Sequence, residues 1–252
     1  MSKRWIIVLA VVAFLVTLVL HAPAALVYAW TQDPARPAPV RLHGVHGTLA
    51  RGGFAALSVN DRPALRDANW ALQPAWLALL RVTADIEAGD EAVVRARVSR
   101  SLFGALQLSR INAAGSVKTL LQMLGQPPLP VEGQARLDLP LLRLDDGLPI
   151  EAQGSVEVER LAWTLAREPL ALGSFNAALT TDPQGVLASF GSGPGPLEVG
   201  GSAVLKPDRS YQLDLQLRPR AGAPEALLTL VRSLGPADGQ GWHHLRRQGT
   251  LQ

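Results

Sequence analysis

The sequence predicts a mainly β protein. An N-terminal transmembrane helix leads into a turn-rich, largely antiparallel curved sheet, arranged as a half-barrel or a sandwich, with two or three short helices. Three observations predict it. From Trp5 to Trp30 there is no Asp, Glu, Lys or Arg, and about 20 apolar residues suffice for a helix to cross the roughly 30 Å hydrocarbon layer. Beyond residue 40, short segments alternate apolar and polar residues between Gly, Pro or Asp, as half-buried strands do. Only a few stretches carry helical spacing.

Lys3 and Arg4 precede the apolar run and belong on the cytoplasmic side, which sends the rest of the chain outward. Trp5 and Tyr28-Ala29-Trp30 set aromatic rings at both ends, where an interfacial belt wants them. A cleaved signal peptide is the alternative, with Ala22-Pro23-Ala24 as its cleavage site. The apolar run exceeds the 7–15 residues of a signal-peptide core and continues past that site, which favours a retained anchor. Residues 31–39 hold three prolines in six positions and read as a stiff extended spacer. The division is therefore 1–30 anchor, 31–39 linker and 40–252 β-rich domain.

Within the domain, Val40–His43 and Gly53–Val59 read as strands around glycine turns. Arg81–Glu87 and Glu91–Val98 form a hairpin about Ala88-Gly89-Asp90. Period-two alternation continues at Gly104–Ile111, Val131–Leu139, Ile150–Val158, Ser174–Thr181, Val186–Ser192, Pro196–Leu205 and Tyr211–Leu217. Ser116–Leu124 and Pro224–Leu234, each followed by glycine, read as short helices packed on the sheet, with Pro74–Leu80 as a third.

The chemistry-bearing residues form no catalytic constellation. The chain has no cysteine, so no disulfide framework and no thiolate chemistry. Its 24 basic and 21 acidic residues are scattered, without the basic run of a nucleic-acid tail. His43 and His46 lie in a glycine-punctuated segment, where a spacing of three on a strand points them to opposite faces, so no metal site is expected. His243-His244 reads as a solvated turn. Asp145-Asp146 and Gly89-Asp90-Glu91 are turn formers. Gly191-Ser192-Gly193 lacks the spacing of a nucleophile elbow. No enzyme and no cofactor are expected.

Several turns, taken in order, resemble one family. They are His21-Ala22-Pro23-Ala24, Leu42-His43-Gly44-Val45-His46-Gly47-Thr48-Leu49, Trp70-Ala71-Leu72-Gln73-Pro74, Leu129-Pro130-Val131-Glu132-Gly133, Gly147-Leu148-Pro149, Gly195-Pro196-Leu197-Glu198-Val199-Gly200 and Leu217-Arg218-Pro219-Arg220. Their order and spacing are similar to those of the type II secretion system protein N family (general secretion pathway protein N). One departure is Ala50, where that family often carries tryptophan. The resemblance implies a single-pass protein of a Gram-negative cell inner membrane, N-terminus cytoplasmic and domain periplasmic. It would serve as an accessory or scaffold subunit aiding protein export across the outer membrane, with other secretion subunits as partners. By architecture alone the chain is also similar to AsmA-like membrane-anchored proteins, which implies lipid binding in a β-groove as the alternative. Trp70, Trp76, Trp163 and Trp242 are the candidate partner-binding residues, because aromatics concentrate interface energy. Strand addition at a sheet edge is the expected mode of recruitment.

Overall fold

The computed structural model describes residues 14, 17–31, 40–59, 62–73, 81–89, 92–101, 106–123, 126–127, 129–145, 147–164 and 168–250. Its strands run β1 (Val40–His43), β2 (His46–Gly47), β3 (Arg51–Val59), β4 (Arg62–Leu72), β5 (Arg81–Ala88), β6 (Val93–Ser101) and β7 (Leu106–Ser116). They continue as β8 (Val131–Asp145), β9 (Leu148–Trp163), β10 (Leu170–Asp182), β11 (Gly185–Ser192), β12 (Leu197–Leu205), β13 (Ser210–Pro219) and β14 (His243–Thr250). The helices are α1 (Ala24–Thr31), α2 (Val117–Met123) and α3 (Glu225–Arg232). All strands belong to one sheet in chain order from β1 to β14, with β2 pairing β3 off that path. The sheet does not close, and a single sheet leaves no sandwich.

Among the described residues no helix is long and apolar enough to cross a membrane. Most of the expected anchor, residues 1–13 with 15 and 16, lies outside the described residues, as do residues 32–39 of the linker and the expected helix at Pro74–Leu80. One part of the anchor expectation is corrected. The apolar run is not a single helix to residue 30, because the chain turns at His21–Pro23 between helical residues 17–20 and α1. Pro23 has no N–H to donate and disfavours helical geometry at Ala22. The carbonyls of Leu20 and Ala22 accept instead from the N–H groups of Ala50 and Leu49, at 2.9 and 3.1 Å.

Register sorts the side chains into a dry face and a wet one. Directly paired residues share a face. One unbroken cross-strand row runs Phe54, Ala68, Ala88, Val94, Ala113, Leu137, Val156, Ala177, Phe190, Gly201, Leu215, Leu245. The adjacent row, one residue along each strand, runs Asn69, Glu87, Arg95, Asn112, Asp138, Ser155, Ala178, Ser189, Ser202, Asp214, Arg246. The wet face also carries cross-strand ion pairs: Arg97–Asp85 at 2.6 Å, Arg95–Glu87 at 2.8 Å, Arg143–Glu151 at 3.0 Å, Arg218–Glu198 at 2.7 Å and Arg246–Asp214 at 3.0 Å. Each contributes only about 0.2–1 kcal/mol. A one-residue slip would break all of them while turning the dry row outward, so both faces select the same register.

Bulges bend this sheet. Arg110 in β7 and Arg160 in β9 occupy left-handed backbone (φ 52° and 51°) where the register shifts. Pro140 lies at a third shift, between Asp138 and Leu141 of β8, where its missing N–H costs no ladder bond. The bending is directed toward the dry face. Helix α2 touches both β8 and β4, four places apart in the sheet, and α3 touches both β13 and β10. Ser116 starts α2 by accepting the Thr119 N–H at its hydroxyl, 3.0 Å away. Two small cores result. Phe54, Ala68 and Ala88 pack with Leu42, Val45, Leu57 and Trp70 at one end. At the other, Leu227 and Val231 of α3 pack with Leu197, Phe175, Val199 and Leu217.

Candidate functional site

The stretch from Gly47 to Ala50 makes the first element of the site. Gly47 sits at φ +77°, and a Cβ there would lie 2.5 Å from the Arg51 carbonyl oxygen, so only glycine fits the turn. The turn presents Thr48, Leu49 and Ala50 to the N-terminal segment. Pro23 bridges Thr48, while Leu49 and Ala50 donate to Ala22 and Leu20 as above. Trp70 holds the turn from beneath, its indole Nε1–H donating to the Leu49 carbonyl at 3.1 Å and its ring 6.4 Å from that of Phe54. On the same side, the Leu42 N–H donates to the Tyr28 hydroxyl at 2.7 Å. Residues 20–28 are thereby bonded to β1 at Leu42 and to the turn after β2. The variant Gly47→Ala is expected to lose about 1–3 kcal/mol of stability, because the residue is held in strained backbone and meets Arg51. A thermal melt of the purified chain checks this.

The second element is the dry face itself. At roughly 4.8 Å per strand, its apolar row extends on the order of 50 Å around the curve. Its middle residues Leu137, Val156, Ala177 and Phe190 are only half-buried. None of the side chains of α2 is buried, and α3 covers only the β10–β13 end. Between the two helices this apolar row is only partly covered among the described residues. Trp163 is half-buried and in register between Val131 and Leu170.

On the wet face, Asn69, Asp85, Glu87, Arg95, Arg97 and Arg110 line a pocket of about 450 Å³. The Arg97 guanidinium holds the Asp85 carboxyl below its usual range, with Gln73 and Arg110 assisting against the cost of burial. This is a mixed-charge patch. His43 and His46 are exposed, and no group of three or more His, Cys, Asp or Glu fit to hold a metal occurs among the described residues.

The third element is the far end of the sheet. His243 opens β14 rather than forming a solvated turn. It is 7 % exposed, with its Nδ1 2.7 Å from the Gly235 carbonyl oxygen. Asp238 organises the loop before it, accepting from the Gln240 and Trp242 N–H groups and facing His244 Nε2 at 3.0 Å. Trp242 is half-buried beneath the Arg218 guanidinium, which lies 4.3 Å from its ring centroid. Of the four tryptophans singled out above, Trp70, Trp163 and Trp242 thus stand at three separate places. Trp76 lies outside the described residues.

His244, followed by the two N–H groups, lowers the Asp238 carboxyl from 3.8 to about 2. A depressed carboxyl contributes stability that is complete above its ordinary value and is lost as pH falls through the lowered one. The Trp242 and Gln240 amide resonances are therefore expected to shift between about pH 4 and pH 2, and Asp238→Asn to abolish that dependence.

The described residues thus form one open antiparallel sheet whose first end is bonded to the N-terminal segment. The family model for type II secretion system (T2SS), protein N matches residues 38–246, and the chain belongs to that family. A type II secretion system protein N of Vibrio cholerae is 27% identical over 244 residues, covering 93% of this chain and 93% of that one. One from Aeromonas hydrophila is 29% identical over 264 residues, covering 99% of each. One from Klebsiella pneumoniae is 33% identical over 124 residues, 48% of this chain and 49% of that one. No solved structure matches. The chain is a component of the type II secretion system.

Proposed function

We propose that the chain is a non-enzymatic accessory and scaffold subunit, anchored in the inner membrane by residues 1–30 and spaced from it by 31–39. Residues 40–252 then form a periplasmic domain that contacts other secretion subunits. The observation that carries this reading is the difference between the sheet's two ends. One is bonded to the membrane-proximal segment through Leu20, Ala22, Pro23 and Tyr28. The other ends on β14. Beside the bonded end, Phe14 (67 %), Leu18 (59 %), Leu26 (55 %) and Trp30 (83 %) are exposed apolar side chains, as residues facing lipid would be. Cleavage after Ala24 would remove both Leu20 and Ala22, whose carbonyls accept from Ala50 and Leu49, which favours a retained anchor. Trp70, Trp76, Trp163 and Trp242 are proposed partner contacts, with Trp163 and Trp242 the ones whose positions favour it. The test is twofold. Deleting the chain should impair secretion of a type II substrate, and protease added to spheroplasts should reach the domain while the N-terminus stays protected. Normal secretion without the chain would sink the reading.

A second reading, lipid handling, is favoured by one feature: the apolar row is half-exposed along its middle. Acyl chains would cover it. Leu137→Glu with Val156→Glu, on paired strands, would then reduce lipid retained by the purified chain about tenfold, measured by mass spectrometry. Unchanged retention would remove this reading.

A further inference from the structure

The two edges of the sheet differ in what they offer a partner. At the first edge the N-terminal segment bonds the chain at several points, with Leu42 of β1 donating to Tyr28 and, in the turn after β2, Pro23 bridged to Thr48 and Leu49 and Ala50 bonded to Ala22 and Leu20. On β14 the chain's own loop covers only the start, where Ala237 bridges His243. From Leu245 to Thr250 the strand pairs β13 on one side, and no strand follows it in the sheet. Among the described residues no strand pairs the outward N–H and C=O groups of these six residues, which form a template for one more strand.

The side chains on that template are basic. Arg246 points to the wet face and is paired with Asp214 at 3.0 Å. Arg247 sits opposite Leu213, on the dry face, exposed and with no hydrogen bond or ion pair among the described residues. Next to the edge, a pocket of about 490 Å³ is lined by Ser202, Gln212, Asp214, Arg246, Arg247 and Gln248, among others. There one solvent-shielded oxygen of Asp214 has no hydrogen-bond partner among the described residues. A second copy of the chain is a poor occupant: antiparallel pairing of two Leu245–Thr250 edges over their full length sets Arg247 against Gln248 and Arg246 against Gly249, offers no carboxylate, and makes Arg247 of one copy and Arg246 of the other diagonal neighbours of like charge.

We propose that Leu245–Thr250 takes an added strand from a different protein, one that alternates apolar and polar residues and carries a carboxylate opposite Arg247. This deepens the scaffold reading and rests on it. Main-chain bonds supply the affinity, and Arg247 selects the partner. An inward-pointing charge on an edge strand also blocks indiscriminate pairing, so a carboxylate is what turns the block into a match.

The absence of cysteine allows single labelling sites. Purified full-length chain carrying Gln248→Cys with a benzophenone label is irradiated with an eight-residue peptide of alternating Thr and Val holding one central Glu. Expected is a covalent adduct at Gln248→Cys and none at His43→Cys. Arg247→Glu should reduce the adduct at least tenfold, and the same peptide with Lys for Glu should restore it. Equal labelling by the Glu and Lys peptides, labelling at His43→Cys, labelling of neither site, or only chain-to-chain dimers would each overturn the proposal. In cells, Arg247→Glu at normal membrane level should reduce secretion. Unchanged secretion with that variant sinks the edge proposal alone, whereas unchanged secretion on deleting the whole chain sinks the scaffold reading. Arg247 is exposed, and an unchanged melt confirms that the variant folds.

Discussion

Replacing Leu227 by aspartate is expected to detach α3 and open the β10–β13 end of the sheet. Leu227 is 0 % exposed and Val231, one turn on, 1 %. Together they are the stripe by which an eight-residue helix meets Leu197, Phe175, Val199 and Leu217. Truncation of such a leucine to alanine costs about 2–5 kcal/mol. Aspartate adds the desolvation of a charge with no partner, a further few kcal/mol. Domains are stable by about 5–15 kcal/mol in total, so Leu227→Ala should leave a folded chain with a melting point lower by roughly 10 °C. Leu227→Asp should abolish the cooperative transition at that end. Hydrogen exchange separates local from global loss. Amides of β10–β13 should lose protection, while those of β3–β5, held by the separate cluster at Phe54, Ala68 and Ala88, should keep it. Simultaneous loss at both ends would mean that the sheet is one cooperative unit.

The two-core arrangement explains how far the sequence could be read. Antiparallel order was legible because most strands are local hairpins, and a hairpin announces itself by alternation and a turn. Asp182-Pro183-Gln184-Gly185 does so, with the Asp182 carboxylate accepting from the Gln184 and Gly185 N–H groups at 2.7 and 3.1 Å. The helices at Val117–Met123 and Glu225–Arg232 fall inside the stretches expected from their spacing. Strand lengths were less legible. Val131–Asp145 runs past Pro140 and Leu148–Trp163 past Arg160, because bulges let a ladder resume after a residue that breaks the period. Two strands gave almost no signal. In Arg62–Leu72 the charges of Arg62, Arg66 and Asp67 mask the alternation. In β14, His243-His244-Leu245-Arg246-Arg247 puts a cation on the dry face, which no period-two template expects. That misfit is the edge residue on which the partner proposal turns. The bonding of the N-terminal edge was illegible too, since it depends on carbonyls at Leu20 and Ala22 meeting amides nearly thirty residues later. Of the tryptophans, their number was visible and their surroundings were not.

Trp70→Ala should have the second large effect, and its consequence is mechanical as well as thermodynamic. The indole fills the cluster beside Phe54 and ties down the Leu49 carbonyl. Loss of a large aromatic from a packed position costs about 3–5 kcal/mol, and the freed carbonyl adds about 1 kcal/mol. Trp70→Phe should separate the two, keeping most of the packing and losing only the bond. Leu49 is also the residue whose N–H holds Ala22, so the turn has Trp70 on one side and the N-terminal segment on the other. If the sheet is positioned by that segment, Trp70→Phe should leave the melt of the solubilised chain nearly unchanged yet raise protease cutting at residues 20–31 in membranes several-fold. Tyr28→Phe, which removes the hydroxyl that receives the Leu42 N–H, should do the same, and the pair together should exceed either alone. Cutting that stays at the wild-type rate in all three variants would mean that the segment and the sheet are held together by something other than these two bonds, and the sheet's tethered end would lose its physical basis.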